Sequence, residues 1–519
     1  YDDNSVAARV ALSQIWIKGG SNAADAARYI ARIDSSEYRY GDAIAILEAS
    51  LEKFGDDALT LASLSELYMN TGLYDSAISA AKRSLKRKPD NAITALNLTI
   101  WQSNYEVCPA RIRSAFEQWS AKFVEPLSSG PCAPAAGQLA DVNGRPLRVG
   151  YISGDLCNHA VRYLIEPYLA RHDTFRFEIH AFMTSEEDEI SYLLRQSVPH
   201  WHNVKALDNA ALLGLIRELK IDILVDLSGH TEGSRLEVFA ARAAPVQVTW
   251  WGFVHTLGMA EIDYRLTDYE ICPEGTEANY TEALCRMKCL TAYAPPVNSD
   301  TQYPSPWKSN NYVTMVSLNH TRKISNIALD SWRSILEKNP NSGLIIVTNE
   351  PTEAAVADSF IPRLKDHRLP LDRVSAVPRM SMAGFMNIAS VADFALDSFP
   401  VSGGVTTLHS LWMGLPVLTF KPENAIAIQT YSGNILREVG LDECVTSSPQ
   451  ELVSRASCWM QNPNLIDNLR SKTREKLVSS PFMDYDHRVR ELEACFSEMW
   501  RRFMENEAVE DLTIADYES

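Results

Sequence analysis

The stretch Asp397–Phe420, DSFPVSGGVTTLHSLWMGLPVLTF, decides how the chain is read. It runs as a strand end, a turn at Ser402-Gly403-Gly404, a helix start at Val405-Thr406-Thr407, and a second strand after Pro416. Strand, glycine turn, helix and strand form the repeating unit of an α/β fold with a parallel sheet. In such folds the turn lies at the carboxyl edge of the sheet, where ligands bind. Small residues let backbone N–H groups approach an anion, and the helix start adds partial positive charge. A diphosphate suits this chemistry, with the hydroxyls of Thr406 and Thr407 as further donors. Glycine turns also precede helices that bind nothing, so this stretch alone leaves both readings open.

Similar strands extend outward. YVTMVSL (Tyr312–Leu318), SGLIIVT (Ser342–Thr348), VSAVP (Val374–Pro378) and ADFALD (Ala392–Asp397) precede the closing PVLTF (Pro416–Phe420). An earlier series holds LRVGYIS (Leu147–Ser153), FEIHAF (Phe177–Phe182), IDILVDLS (Ile221–Ser228) and VQVTWWG (Val246–Gly252). Short apolar runs alternating with helical patterns are buried parallel strands. Two such series predict two Rossmann-like lobes facing a cleft, at 147–300 and 312–480. A closing helix is predicted over 481–504. The last stretch, 505–519, has six acidic and no basic residues and reads as a disordered tail.

Ahead of the lobes the chain repeats itself. YRYGDAIAILEASLEKFGDD (Tyr38–Asp57) and GLYDSAISAAKRSLKRKPDN (Gly72–Asn91) superpose at an offset of 34 residues, matching Tyr40 to Tyr74, Ala43 to Ala77 and Leu51 to Leu85. That period is the signature of tetratricopeptide repeats, which bind peptides on a concave face. An all-α repeat domain is therefore predicted over 1–123. The Pro-, Gly-, Ala- and Ser-rich segment 124–146 reads as the linker.

Composition narrows the function. The net charge of −17, from 49 basic and 66 acidic residues, argues against a nucleic-acid partner. Nine cysteines without a CxxC pair indicate reduced thiols. The chain opens on YDDNSVAARV, with no basic-then-apolar signal, and no apolar run approaches about eighteen residues. It does not begin with Met, so residues ahead of Tyr1 stay open. A cytoplasmic location without a membrane partner is expected.

Four positions add chemistry to the turn. Asn319 and Lys323, in SLNHTRKISN, follow the first strand of the second lobe and belong to the same sheet edge. A lysine there neutralises charge on a leaving diphosphate; the alternative is a solvated surface lysine. His159, in GYISGDLCNHAVRYL, follows the first strand of the first lobe, and His230 ends IDILVDLSGH. Histidines arriving from separate strand ends can supply a general base and a polar orienting group; either can equally be a capping or loop histidine. No HxxxH pair or dense Asp/Glu/His cluster is visible in the sequence, so no metal is expected.

These residues carry a family resemblance. LRVGYISGDLCNHAV, IDILVDLSGHTEGSRLEVFAARAAPVQVTWWGF, IDYRLTD and ADFALDSFPVSGGVTTLHSLWMGLPVLTF make the region from Leu147 to Phe503 similar to the O-linked N-acetylglucosamine transferase and SPINDLY family. That family also carries tetratricopeptide repeats ahead of its catalytic region. The resemblance implies a GT-B pair of lobes, a nucleotide sugar held by the second lobe, and no cofactor or metal. It implies that His159 helps activate the acceptor hydroxyl, that His230 lines the cleft, and that Lys323 contacts the diphosphate. Gly403, Gly404, Thr406 and Thr407 match the phosphate-binding turn.

Departures cluster around the donor. His409 stands where the family usually has an acidic residue facing the ribose, and Phe385 where a histidine commonly faces the base. AIQTYSGNIL (Ala427–Leu436) and GFVHTLG (Gly252–Gly258, with His255) also differ from the family pattern. The expectation is an inverting, metal-independent glycosyltransferase moving a sugar from UDP-N-acetylglucosamine to Ser or Thr of a protein acceptor recruited by the repeats. Alternatives are a GDP-deoxysugar or a CMP-nonulosonic acid as donor, the latter as on flagellin, or a non-catalytic repeat scaffold. An oligomer is left open.

Overall fold

The structure, a computed structural model, describes residues 3–106, 108–124 and 144–514. The expected linker, 124–146, falls mainly on residues outside that set. Among the described residues seven helices come first: α1 (Asp3–Lys18), α2 (Ala23–Ser36), α3 (Tyr40–Phe54), α4 (Ala58–Asn70), α5 (Tyr74–Arg87), α6 (Ala92–Ser103) and α7 (Pro109–Phe123). The sequence repeat reappears in their caps. Asp57 accepts from the Thr60 amide at 2.8 Å to start α4, and Asn91 accepts from the Thr94 amide at 3.1 Å to start α6. A side-chain oxygen in that place satisfies an amide the helix cannot pair itself. Ala31, Ala43, Leu47, Leu64 and Leu67 fill the space between α2, α3 and α4.

Fourteen strands follow: β1 (Leu147–Ser153), β2 (Phe177–Met183), β3 (His200–Asn203), β4 (Ile223–Asp226), β5 (Val246–Thr249), β6 (Tyr264–Asp268), β7 (Ala283–Met287), β8 (Val313–Ser317), β9 (Ser342–Val347), β10 (Val374–Val377), β11 (Phe394–Leu396), β12 (Val417–Phe420), β13 (Val445–Thr446) and β14 (Leu512–Thr513). They build two parallel sheets, ordered β14-β7-β6-β5-β4-β1-β2-β3 and β10-β9-β8-β11-β12-β13. The fold is thus an all-α repeat region followed by two Rossmann-like α/β lobes. Strand order reverses between β1 and β4 in the first sheet and between β8 and β11 in the second. Those two switch points are where ligands bind in open α/β sheets.

The chain divides into two compact units. One holds Tyr1–Tyr105, Asn298–Ala425 and Gln429–Arg474, the other Glu106–Val297, Ile426–Ile428 and Glu475–Ser519. In the first, the repeats and the second lobe share contacts. The Gly41 amide donates to Asp358 Oδ2 at 3.0 Å. Gly72 has φ +76°, a conformation that favours glycine, and a Cβ there would run into the Arg363 guanidinium.

The second unit departs from the sequence boundaries. α7 lies in it, apart from the other helices, although 1–123 was expected as one domain. Its Ser120 hydroxyl donates to the Leu257 carbonyl at 2.7 Å, and Phe116 is fully buried. The helix Tyr485–Met504 buries Val489, Leu492, Phe496 and Met499 in the core of the first lobe. The expected disordered tail is corrected at Leu512–Thr513, which pairs in parallel with Cys285 and Arg286 of β7. There Asp511 accepts from the Leu284 amide at 2.6 Å, so an acidic residue caps the new edge. The strands β3, β6 and β7 were not among those expected; β6 is buried throughout, with Arg265 placed 3.7 Å from the buried Glu282. Among the described residues no helix is long and apolar enough to cross a membrane.

Candidate active site

At the switch point of the second sheet, the loop after β8 and the turn after β11 are joined through one carboxylate. Asp397 follows β11 and is buried. Its Oδ1 accepts from Asn319 Nδ2 at 2.8 Å and from the Gly403 amide at 2.9 Å, and its Oδ2 accepts from the Thr419 hydroxyl at 2.6 Å. Burial pushes the Asp397 pKa up, while the bonds from Thr419, Ser432 and Gly403, and the Lys323 charge, pull it down. Asn319 in turn accepts from the Thr406 hydroxyl at 2.8 Å. Thr407 pairs with the Ser432 hydroxyl at 2.7 Å, and Ser432 donates to the Gly403 carbonyl at 3.0 Å. Both threonine hydroxyls, expected as phosphate donors, are therefore engaged in holding the turn in this state.

The turn's backbone supplies the anion donors instead. Gly404 caps the helix Val405–Trp412, and the amides of Gly404, Val405 and Thr406 have no acceptor among the described residues. Such unpaired amides at a helix start attract negative charge. A Cβ on Gly403 would lie 2.8 Å from both threonine hydroxyl oxygens and 3.0 Å from Asp397 Oδ1, whereas one on Gly404 would meet nothing within 4 Å. Lys323 reaches the same turn, its Nζ donating to the Ser402 carbonyl at 3.2 Å. Burial lowers the Lys323 pKa, with the Asp397 charge opposing that shift. Asn319, Lys323, Gly403, Gly404, Thr406 and Thr407 are thus brought together.

His409 lies one turn into the helix, 3% exposed, with the Phe385 ring edge-on at 5.8 Å. Burial lowers its pKa to about 3, so it is neutral near pH 7. The sequence reading missed Asp397, Thr419 and Ser432. Asp397 and Thr419 stand inside the quoted stretch, but nothing local shows that they share a hydrogen-bond network.

The switch point of the first sheet is built differently. His159, after β1, is exposed, with Nδ1 3.6 Å from Asp155 Oδ2. Burial raises the Asp155 pKa, and the His159 charge opposes it. His230, after β4, is sealed: its ring stacks on Phe116 at 5.3 Å, meets Trp119 edge-on at 4.9 Å, and donates through Nε2 to the Leu257 carbonyl at 2.9 Å. Its Nδ1 is buried without a hydrogen-bond partner, and burial lowers its pKa to about 4. His255 joins this cluster, stacked on Phe116 at 5.6 Å. No hydrogen bond or ring contact links His159 with His230 among the described residues.

The family Glycosyl transferase family 41 matches residues 135–293 and 292–492, and a tetratricopeptide-repeat family matches 35–98. A probable UDP-N-acetylglucosamine–peptide N-acetylglucosaminyltransferase SPINDLY from Oryza sativa subsp. japonica is 31% identical over 83% of this chain and 47% of its own length. A UDP-N-acetylglucosamine–peptide N-acetylglucosaminyltransferase from Caenorhabditis elegans is 22% identical over 73% of this chain and 43% of its own. The chain spans about half the length of the curated relatives it matches. Among solved structures, a Thermobaculum terrenum O-GlcNAc transferase mutant superposes with a TM-score of 0.83 and 26% identity, covering 97% of this chain and 95% of that one. The sheet order, the glycine turn with its lysine, and the span of the family match agree: this chain belongs to glycosyl transferase family 41.

Proposed function

We propose that this protein is a protein O-glycosyltransferase, with UDP-N-acetylglucosamine as the first-choice donor and Ser or Thr hydroxyls of a polypeptide as acceptor. The observation that carries the reading is the turn after β11, where unpaired helix amides, open space beside Gly404 and the Lys323 ammonium on the Ser402 carbonyl occur together. The names of the relatives support the same donor and a peptide acceptor.

In this reading the acceptor oxygen attacks the anomeric carbon, the bond from that carbon to the phosphate oxygen breaks, and the configuration inverts. The helix amides and Lys323 take up the charge of the departing diphosphate, the work a divalent cation does elsewhere, so no metal is required. His159 takes the acceptor proton, with Asp155 holding the resulting imidazolium. His230, neutral and fixed, positions rather than transfers. The repeats recruit the acceptor chain. A cytoplasmic setting fits the eight described cysteines, all free thiols.

A second donor is favoured by one observation. His409, buried beside Phe385 and neutral near pH 7, cannot present a ribose with the charge of a carboxylate. A GDP-deoxysugar or CMP-nonulosonic acid donor would fit a nucleotide site altered in this way. Side-by-side calorimetric titration with UDP, GDP and CMP tests both. Micromolar UDP binding supports the first donor, a preference for GDP or CMP selects the second reading, and binding of none removes the transferase reading.

A further inference from the structure

The first sheet ends in a strand that the sequence reading passed over. β3, of sequence HWHN, lies outside β2, and their register pairs His180 with His200 and Phe182 with His202. Side chains alternate along a strand, so Glu178 and His180 of β2 share a face, as do His200 and His202 of β3. The two pairs meet on that face. His180 stacks on His200 at 4.5 Å and on His202 at 5.4 Å. His180 Nε2 lies 2.9 Å from Glu178 Oε1, and its Nδ1 lies 3.2 Å from His202 Nε2. One ligand atom from each of Glu178, His180 and His200 falls within 4.8 Å of the others. The Asp/Glu/His cluster absent along the chain is thus formed across the strands.

We infer that Glu178, His180 and His200 form a binding site for a first-row divalent transition-metal ion of the zinc class, which would tie the edge strand β3 to β2. Two imidazoles and one carboxylate select such an ion over magnesium or calcium, which take sets of oxygen ligands. Zinc bonds of about 2.0–2.2 Å need the three atoms closer together than they stand. His200 is exposed on an edge strand and is free to close that gap by side-chain rotation. A water completes the coordination.

The remaining contacts set the proton positions. The ion takes the Nε2 lone pair of His180, so the ring proton resides on Nδ1 and donates to His202 Nε2. This makes His202 the outer partner that orients a metal-bound imidazole. Arg148 Nε donates to the same Glu178 oxygen, Oε1, at 3.1 Å, and its Nη1 donates to the Leu219 carbonyl at 3.3 Å, which fixes the carboxylate and leaves Oε2 as its second ligand atom. His180 pairs with Gly150 in mid-strand, away from the carboxyl end of β1 that leads to His159, so the role is structural. The ligands converge only while β2 and β3 are paired, so binding favours the folded state.

The test uses the full chain without an affinity tag, stripped with chelator and titrated with zinc chloride by calorimetry. Cobalt(II) serves as a visible-absorption reporter of the coordination. One ion per chain is expected, with a zinc-dependent rise in the thermal midpoint. Glu178→Gln and His200→Gln, both at accessible positions, should each weaken binding by more than about 100-fold, and His202→Ala by about 10-fold. Absence of binding, or an affinity unchanged in both Glu178→Gln and His200→Gln, would overturn the site.

Discussion

The turn after β11 and the turn after β4 occupy equivalent places, each beside the point where strand order reverses, yet they are built from opposite materials. The first is polar and networked: Asp397 gathers Asn319, Gly403 and Thr419, and Lys323 Nζ donates to the Ser402 carbonyl beside the unpaired helix amides. The second is aromatic and closed, with His230 packed among Phe116, Trp119 and Phe253. Topology fixes where a ligand site can form, and the side chains packed behind each turn fix its character. A networked turn presents its backbone to an anion. A sealed one holds a neutral imidazole still, while His159 near the other strand end stays exposed.

Breaking the sealed turn should cost the most. Phe116→Ala removes the ring that covers both His230 and His255 and should lose about 3–5 kcal/mol of stability in denaturant titration. A loss below 1 kcal/mol, about the level of a surface substitution, would mean that α7 does not seal the turn. At the networked turn, Lys323→Ala should lower turnover about 10²- to 10³-fold while the far-ultraviolet circular dichroism stays unchanged. Activity within a few-fold of the parent protein would remove the leaving-group role.

Gly403→Ala is smaller in chemistry but sharper in cause. Its methyl must displace Thr406, Thr407 or Asp397, a cost of about 1–3 kcal/mol that should appear as weaker nucleotide binding. The same change at Gly404 should be tolerated, and equal effects at the two positions would break the distinction.

Acid distinguishes a sealed imidazole from an accessible one. His230 is held at about 4, below its ordinary 6.5, so the unfolded chain binds a proton that the folded one refuses. Its contribution to stability is complete above about pH 6.5 and falls as the pH drops toward about 4, by about 1.4 kcal/mol per pH unit. Urea titrations at pH 7 and pH 5 should show that loss, and His230→Phe should flatten the slope by one proton's share. An unchanged slope would mean the ring is protonated in the folded protein.

Much of this was legible in the chain. The repeat at 34 residues became matched caps at Asp57 and Asn91, and the glycine turn became the start of the helix Val405–Trp412. The strands that were read correctly are apolar runs. Those missed include β3, β6 and β7: the histidines of β3 meet His180 of β2, and Arg265 and Arg286 are held by carbonyls of distant loops, so no window of sequence marks them as buried or paired.

By itself the sequence determined the periodic features: helical repeats, alternating strands and helices, and a glycine turn at a sheet edge. Each depends on residues close together in the chain, whose spacing is set by helix and strand geometry. Only the tertiary structure decided that Thr406 and Thr407 hold the turn, that α7 seals His230, that Leu512–Thr513 joins a sheet, and that β2 and β3 bring Glu178, His180 and His200 together. Those outcomes depend on strand order and register, which pair residues distant in sequence.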